Sequence, residues 1–223
     1  MADLILVPTQ IELDPIREML EHDVVDQPYA FQLCGFGPIA SAARTAALIA
    51  RYHPDRVLLI GIAGTFDPVL HPVGTSCRFD EVVCDGVGVG VGDNFISAGE
   101  MGWNHFGSEY QRPRISDLLP LVSTFVNDVP CAGQLLTSPA ASASHDDADR
   151  RRRRYPKAIA EDMEGFGVAT ACALAGVSLQ IVRGISNIVG DRVHANWRID
   201  DALTAAASMA ACLIRRPWIP SIA

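Results

Sequence analysis

Short runs of Val, Ile and Leu alternate with longer stretches of helical periodicity along the whole chain, and this alternation restricts the fold more than any other feature. Strands are predicted at Leu4–Val7, Ala30–Cys34, Arg56–Ile62, Ser76–Val83, Cys131–Thr137, Ala158–Asp162 and Leu179–Arg183. Helices are predicted at Pro15–Glu21, Pro38–Tyr52, Ile115–Phe125, Asp146–Tyr155, Glu164–Leu174 and Asp200–Arg215. Asp14 reads as a cap with proline at the first helical position, and Pro38 has the same first-turn role in the next helix. Strands alternating with helices predict an α/β three-layer sandwich with a mixed, largely parallel central sheet flanked by helices. No repeat or linker interrupts the pattern, which predicts one domain over residues 1–223. The segment 85–114 shows no clear element and opens on a glycine-rich run, and a loop of that length inside a domain is usually functional.

Composition removes several function classes. The formal charge is −8, and without the five arginines at 150–154 it falls to −13. So acidic a body does not attract a phosphate backbone, which argues against nucleic acid. Asp146, Asp147 and Asp149 precede the arginines, so that run reads as a solvated helix with charges placed as its dipole prefers. No apolar run is long enough to span a membrane. The start MADLILVPTQ carries an acid where a signal peptide carries positive charge, so the protein is expected in the cytoplasm. Six cysteines without a CxxC pair predict buried, reduced thiols, and six histidines without ligand spacing predict no metal. No organic cofactor is expected either.

Four features fall just after predicted strand ends: Glu12, the bare turn Gly61-Ile62-Ala63-Gly64, Met163-Glu164, and Ser186-Asn187. Ligands of open α/β sheets bind at the carboxyl ends of strands. Each feature alone has an ordinary explanation: a solvated acid, a tight turn, a carboxylate at a helix start, a turn amide. Together they put two carboxylates, an amide and a bare backbone around one cleft. An acid that takes a proton from water is a general base, a carboxylate held ionised by a helix N-terminus accepts sugar hydroxyls, and an amide both donates to and accepts from a nucleobase edge. That set describes cleavage of an N-glycosidic bond, where carboxylates offset an oxocarbenium-like charge. The segment Gly35-Phe36-Gly37-Pro38-Ile39-Ala40 reads as GxGxxA, a dinucleotide fingerprint, but the acid at the usual spacing, Asp55, precedes its strand and stands at the wrong end for a ribose. An oxidoreductase therefore rests on that segment alone. A non-catalytic nucleoside binder would have no use for a base at Glu12.

PTQIE, GFGPIASA, PDRVLLIGIAGTF, AEDMEGFGVATACALAGV and QIVRGISNIVGDR, in this order, resemble the nucleoside phosphorylase and nucleosidase family that includes methylthioadenosine/adenosylhomocysteine nucleosidase. ISN in place of ISD, the VGDR…NWRI segment and DGVGVGVGDNFISAGEMGW are similar to the branch whose members release hypoxanthine from futalosine on a route to menaquinone. The resemblance implies that Glu12 activates water, Met163 packs against ribose and base, Glu164 binds ribose hydroxyls, and Asn187 reads the purine. It gives Asp162 an acid's position of less defined role and leaves Ala63 and Gly64 near the sugar or the water. It also implies a nucleoside substrate and a homodimer or larger homo-oligomer. The 5′ tail of the substrate is expected against segment 85–114, with aromatic faces from Phe95, Trp103 and Phe106 and a carboxylate partner in Arg192. Thr65 stands where many members carry glycine. Leu59 and Ile60 occupy the region where hexameric phosphorylases carry arginine, leaving Arg44 as the candidate for phosphate. Hydrolysis therefore leads, with phosphorolysis or an adenine-releasing nucleosidase as alternatives.

Overall fold

The computed structural model describes residues 3–23, 29–108, 110, 112–121 and 131–215. Its strands are β1 (Asp3–Val7), β2 (Tyr29–Leu33), β3 (Arg56–Thr65), β4 (Ser76–Cys84), β5 (Gly88–Val89), β6 (Ile96–Ser97), β7 (Leu118–Pro120), β8 (Cys131–Thr137), β9 (Ala158–Asp162) and β10 (Ser178–Ile188). Its α-helices are α1 (Gln10–Asp23), α2 (Gly37–Tyr52), α3 (His145–Arg154), α4 (Gly165–Ala175) and α5 (Ile199–Ile214). The period of two explains the layers. Ile5, Val7, Leu58, Ile60 and Val182 face one way and join Leu13, Ile16 and Leu20 of α1 and the alanine-rich side of α5. Leu4, Leu6, Val57, Leu59 and Ile181 face the other way, onto Leu48 and Ile49 of α2 and Val168, Ala169 and Cys172 of α4. The sheet is mixed, as expected. β2, β1, β3 and β10 run parallel, β4, β8 and β9 run parallel to one another, and the two sets meet antiparallel at β10–β4 and β3–β9. β3 and β10 are long enough to serve two partners each, so the pairings β3–β10–β4–β8–β9–β3 close on themselves.

Several local expectations are corrected. Helix α1 begins at Gln10 rather than Pro15, because Thr9-Gln10-Ile11-Glu12 supplies the Glu half of a capping box: the Glu12 carboxylate accepts from Thr9 N–H (3.2 Å) and Thr9 Oγ1 (2.6 Å). Asp14 is no cap; its carboxylate accepts from Gln10 Nε2 inside the helix. The helix predicted at Ile115–Phe125 is absent over its described portion. Leu118–Pro120 is an edge strand on β4, a place that tolerates Pro120, and residues 122–125 lie outside the described residues. β3 runs on to Thr65 and β10 to Ile188, so Gly61–Gly64 and Ser186–Asn187 lie within strands rather than after them. Segment 85–114 holds a short hairpin, β5–β6. Cys34, Cys77, Cys84 and Cys172 are buried, with thiols pushed up by burial, whereas Cys212 is exposed.

The arginine run is not a uniformly solvated face. Ser144 caps α3 by accepting from Asp147 N–H, and Arg152 and Arg153 are exposed. Arg154 is half-buried, with its guanidinium 5.0 Å from the Phe95 ring and donating to Phe95 O and Glu100. Arg151 is tied to Asp85 and Glu161.

Candidate active site

Three short connections deliver the charged groups. The capping box fixes Glu12 in the first turn of α1, immediately after β1. Its second oxygen accepts from Ile62 N–H of β3 (3.0 Å), so three protein donors hold one buried carboxylate. The β9–α4 junction carries Asp162, Met163 and Glu164; both acids are buried and Met163 is half-buried. Glu164 Oε1 accepts from Gly37 N–H at the start of α2 (3.0 Å), and Ser41 Oγ donates to Glu164 O (3.3 Å). This gives the GxGxxA segment its meaning. Gly35 and Gly37 take positive φ (91° and 81°), turning the chain so that α2 offers its first N–H to a carboxylate of this protein. The same segment lets Gly167 of α4 close onto Pro38 O and Ser41 Oγ.

Arg183, which sequence reasoning assigned no role, sits among these acids. Its side chain is fully buried. Nε and Nη2 donate to Asp162 Oδ2 (3.1 and 2.5 Å), and Nη2 reaches Glu164 Oε2 at 3.3 Å. Asp162 also accepts from Thr137 Oγ1 and Gly165 N–H. Burial disfavours the guanidinium charge, but Asp162, Glu164 and Glu12 outweigh it and hold Arg183 above its ordinary value. Arg183 Nη1 is buried without a hydrogen-bond partner among the described residues. It stands over Gly61: a Cβ there would collide with Nη1 and lie 2.8 Å from Glu12 Oε1. A free donor and a fixed carboxylate oxygen thus meet above a bare Cα.

Glu164 corrects an expectation. A helix N-terminus was to keep it ionised, yet its side chain makes no cap bond to α4. Burial, with Asp162 and Glu12 nearby, pushes its carboxyl up to about 7 against the pull of Arg183 and the Gly37 N–H. One guanidinium, spent mainly on Asp162, does not neutralise three carboxylates.

Asn187 reaches its place through a bulge. β10 pairs Ile185 with Ala63 and then Asn187 with Gly64, which re-aims the amide onto the face of Gly64. Asn187 Oδ1 accepts from Ser186 Oγ (2.8 Å) and Nδ2 donates to Ile188 O (2.9 Å), leaving one amide hydrogen uncommitted. A Cβ on Gly64 would lie 3.3 Å from Nδ2. The expected tail residues have the following surroundings. Phe95 lies under Arg154, and the exposed Trp103 and Phe106 flank His105, whose ring is 5.2 Å from Phe166 of α4. Arg192 stacks on Trp197 (5.1 Å). Arg44 is exposed on α2, seven residues past the Gly37 contact.

A buried cluster of three carboxylates and one guanidinium thus joins the ends of β1 and β9 to the interior of β3 and β10 in an α/β protein, with the Asn187 amide beside it on β10. The phosphorylase superfamily profile matches residues 17–216, and the chain belongs to that family. It is 36% identical over 178 residues to a futalosine hydrolase of Streptomyces coelicolor (77% of this chain, 72% of that one). It is 37% identical over 177 residues to one of Acidothermus cellulolyticus (77% and 69%). Among solved structures, the futalosine hydrolase of Helicobacter pylori superposes with a TM-score of 0.75 at 16% identity (96% and 97% covered). A Streptococcus pneumoniae methylthioadenosine/adenosylhomocysteine nucleosidase with 8-aminoadenine gives 0.77 at 17% (96% and 99%). These two likenesses are of fold.

Proposed function

We propose that the protein hydrolyses the N-glycosidic bond of futalosine, releasing hypoxanthine and the base-free sugar, as a step in menaquinone biosynthesis. The observation that carries the reaction is the meeting of Glu12 Oε1 and the unpartnered Arg183 Nη1 over Gly61. A water there donates to Glu12 and accepts from Arg183. As the C1′–N9 bond breaks, its electron pair leaves with the purine, which takes a proton from solvent. The water adds to C1′ and gives its proton to Glu12. Glu164 accepts from the ribose hydroxyls and offsets the positive ring, and Met163 covers the sugar. The relatives of 36–37% identity carry the choice of futalosine. Phosphorolysis is the weaker reading, since uncompensated carboxylates repel a phosphate dianion and Arg44 is exposed on α2. Exposed Ile11, Phe36, Ile39 and Trp103 support a second copy of the chain as partner. The test is product analysis on futalosine, aminofutalosine, inosine and methylthioadenosine with and without phosphate. Hypoxanthine and free sugar at a rate independent of phosphate are expected, and a sugar phosphate would overturn hydrolysis.

Two expected outcomes follow from the ionised groups and the amide. Glu164 works as an anion, so kcat/KM should rise as pH increases through about 7 and fall on the acid side. Glu164→Gln should lower the plateau and abolish that limb; a limb that persists belongs to another group. The same upward shift means that the stability Glu164 contributes is present below its unfolded value and lost as pH rises through about 7. At Asn187, an amide cannot deliver a proton to N7 but can hydrogen-bond N7 or the 6-oxo group. Asn187→Asp should move the ratio of 6-oxo to 6-amino turnover towards adenine release by about 10- to 100-fold. An unchanged ratio in Asn187→Asp and Asn187→Ala would remove Asn187 from base reading.

A further inference from the structure

Arg151 is the one member of the arginine run whose whole donor set is engaged. Nε donates to Asp85 Oδ2 (3.0 Å), Nη1 to Ser142 Oγ (2.8 Å) and Glu161 Oε2 (2.8 Å), and Nη2 to Ser138 Oγ (2.7 Å) and Ala140 O (2.6 Å). Tyr155 Oη donates to the other oxygen of Asp85 and steadies it. Glu161, itself buried, accepts from Ser142 N–H (2.6 Å) and Ser142 Oγ (2.7 Å). The chain between β8 and α3 is therefore clamped at Ser138, Ala140 and Ser142 by one guanidinium and one carboxylate. Sheet register says where the clamp stands. Glu161 of β9 pairs with Gly64 of β3, and Gly64 pairs with Asn187 of β10. Residues paired across strands share a face, so Glu161 and Asn187 flank the bare Cα of Gly64 two strand spacings apart, roughly 10 Å. At the far end of the loop, a Cβ on Gly190, three residues beyond Asn187, would collide with Ser144 O. The loop thus forms the side of the cleft opposite the amide.

The clamp also sets the polarity of that side. The N–H of Ser142 is taken by Glu161, and the N–H of Ala143 is accepted by Asp147 Oδ2 (3.2 Å). The carbonyls of Ser142 and Ala143 have no protein partner among the described residues. We propose that Arg151, acting through Glu161, is a positioning residue for specificity: it sets the Ser142–Ala143 stretch opposite Asn187 with its donors spent, so that this side of the pocket offers acceptors and selects a purine carrying N1–H. A 6-oxopurine has a hydrogen on N1. Adenine has a lone pair there, which would face carbonyl oxygen unpaired. The inference rests on the purine reading above and adds a source of discrimination independent of Asn187.

The test uses Arg151→Met, Arg151→Lys and Glu161→Gln, with Arg152→Met as a control on the same helix. Two readouts are taken in each: kcat and KM for futalosine and aminofutalosine, and the Kd of free hypoxanthine and free adenine by calorimetry. Arg151→Met should weaken hypoxanthine about 10-fold or more, leave adenine nearly unchanged, and raise KM for futalosine more than it lowers kcat. Arg151→Lys and Glu161→Gln should fall between it and wild type, and both keep the test open should Arg151→Met fold poorly. Equal weakening of both bases, or no change in the hypoxanthine-to-adenine ratio, overturns the proposal. Wild type that binds hypoxanthine but cleaves neither nucleoside would count against the hydrolase reading, and the base titrations would still decide on the clamp.

Discussion

Glu12→Gln is expected to lower kcat/KM by about 10²- to 10⁴-fold, roughly 3–5 kcal/mol of transition-state stabilisation, because an amide cannot take the proton that water loses. The substitution also disturbs the fold slightly, and the structure says how. The carboxylate accepts from Thr9 N–H, Thr9 Oγ1 and Ile62 N–H, and it can do so because both of its oxygens are acceptors. Glutamine keeps one such oxygen and turns an NH₂ towards either the Thr9 or the Ile62 amide. A cost of about 0.5–2 kcal/mol, the scale of a lost helix cap, should follow. In a chain of this length that lowers Tm by only a few degrees. The rate loss should therefore far exceed what the unfolded fraction explains. Near-normal turnover in a folded Glu12→Gln protein would end the assignment of Glu12 as base.

The double duty of Glu12 also shows where sequence reasoning reached and where it stopped. The strands were legible because buried strands are almost continuously apolar, and Leu4–Val7 or Arg56–Ile62 fit little else. The start of α1 was misplaced because Asp14-Pro15 is a familiar signal, while Thr9-x-x-Glu12 was equally present in the chain. Ile115–Phe125 misled because Leu118, Leu119 and Leu121 fit a helix as well as an edge strand until the antiparallel partner β4 is in place. Glu12, Glu164 and Asn187 could be placed near one another because each lies close to the carboxyl end of a strand. Arg183 was passed over as the end of an apolar run. Its partners, Asp162 and Glu164, stand 21 and 19 residues away, a separation no local pattern links. A signal existed all the same: an arginine inside QIVRGIS must be buried if the strand is central, and a buried cation must be paired. Likewise the acids before Arg150–Arg154 suggested a solvated helix, and only the folded chain brings Asp85 and Glu161 to Arg151.

Arg183→Met tests what that buried cation does for the fold. Methionine is close enough in length to fill much of the space, so the main loss is charge and not volume. Asp162, Glu164 and Glu12 are then left in the interior with no counter-charge beside them. Removing one partner of a buried ion pair typically costs about 3–5 kcal/mol, which in a chain of this size means a fall in Tm of roughly 6–20 °C. The sign of the pH dependence separates charge from packing. In the variant Glu164 loses the guanidinium that opposed its upward shift, so its value in the folded state rises further above that in the unfolded chain. Its protonated form then stabilises the folded protein, and that contribution is lost as pH rises through the raised value. The deficit relative to wild type should accordingly be small near pH 5 and large near pH 8. Adding Asp162→Asn to Arg183→Met removes one orphaned charge, and the double variant should melt above the single one at pH 8 while the two converge at pH 5. A deficit equal at both pH values would mean that Arg183 supports the fold by filling space alone.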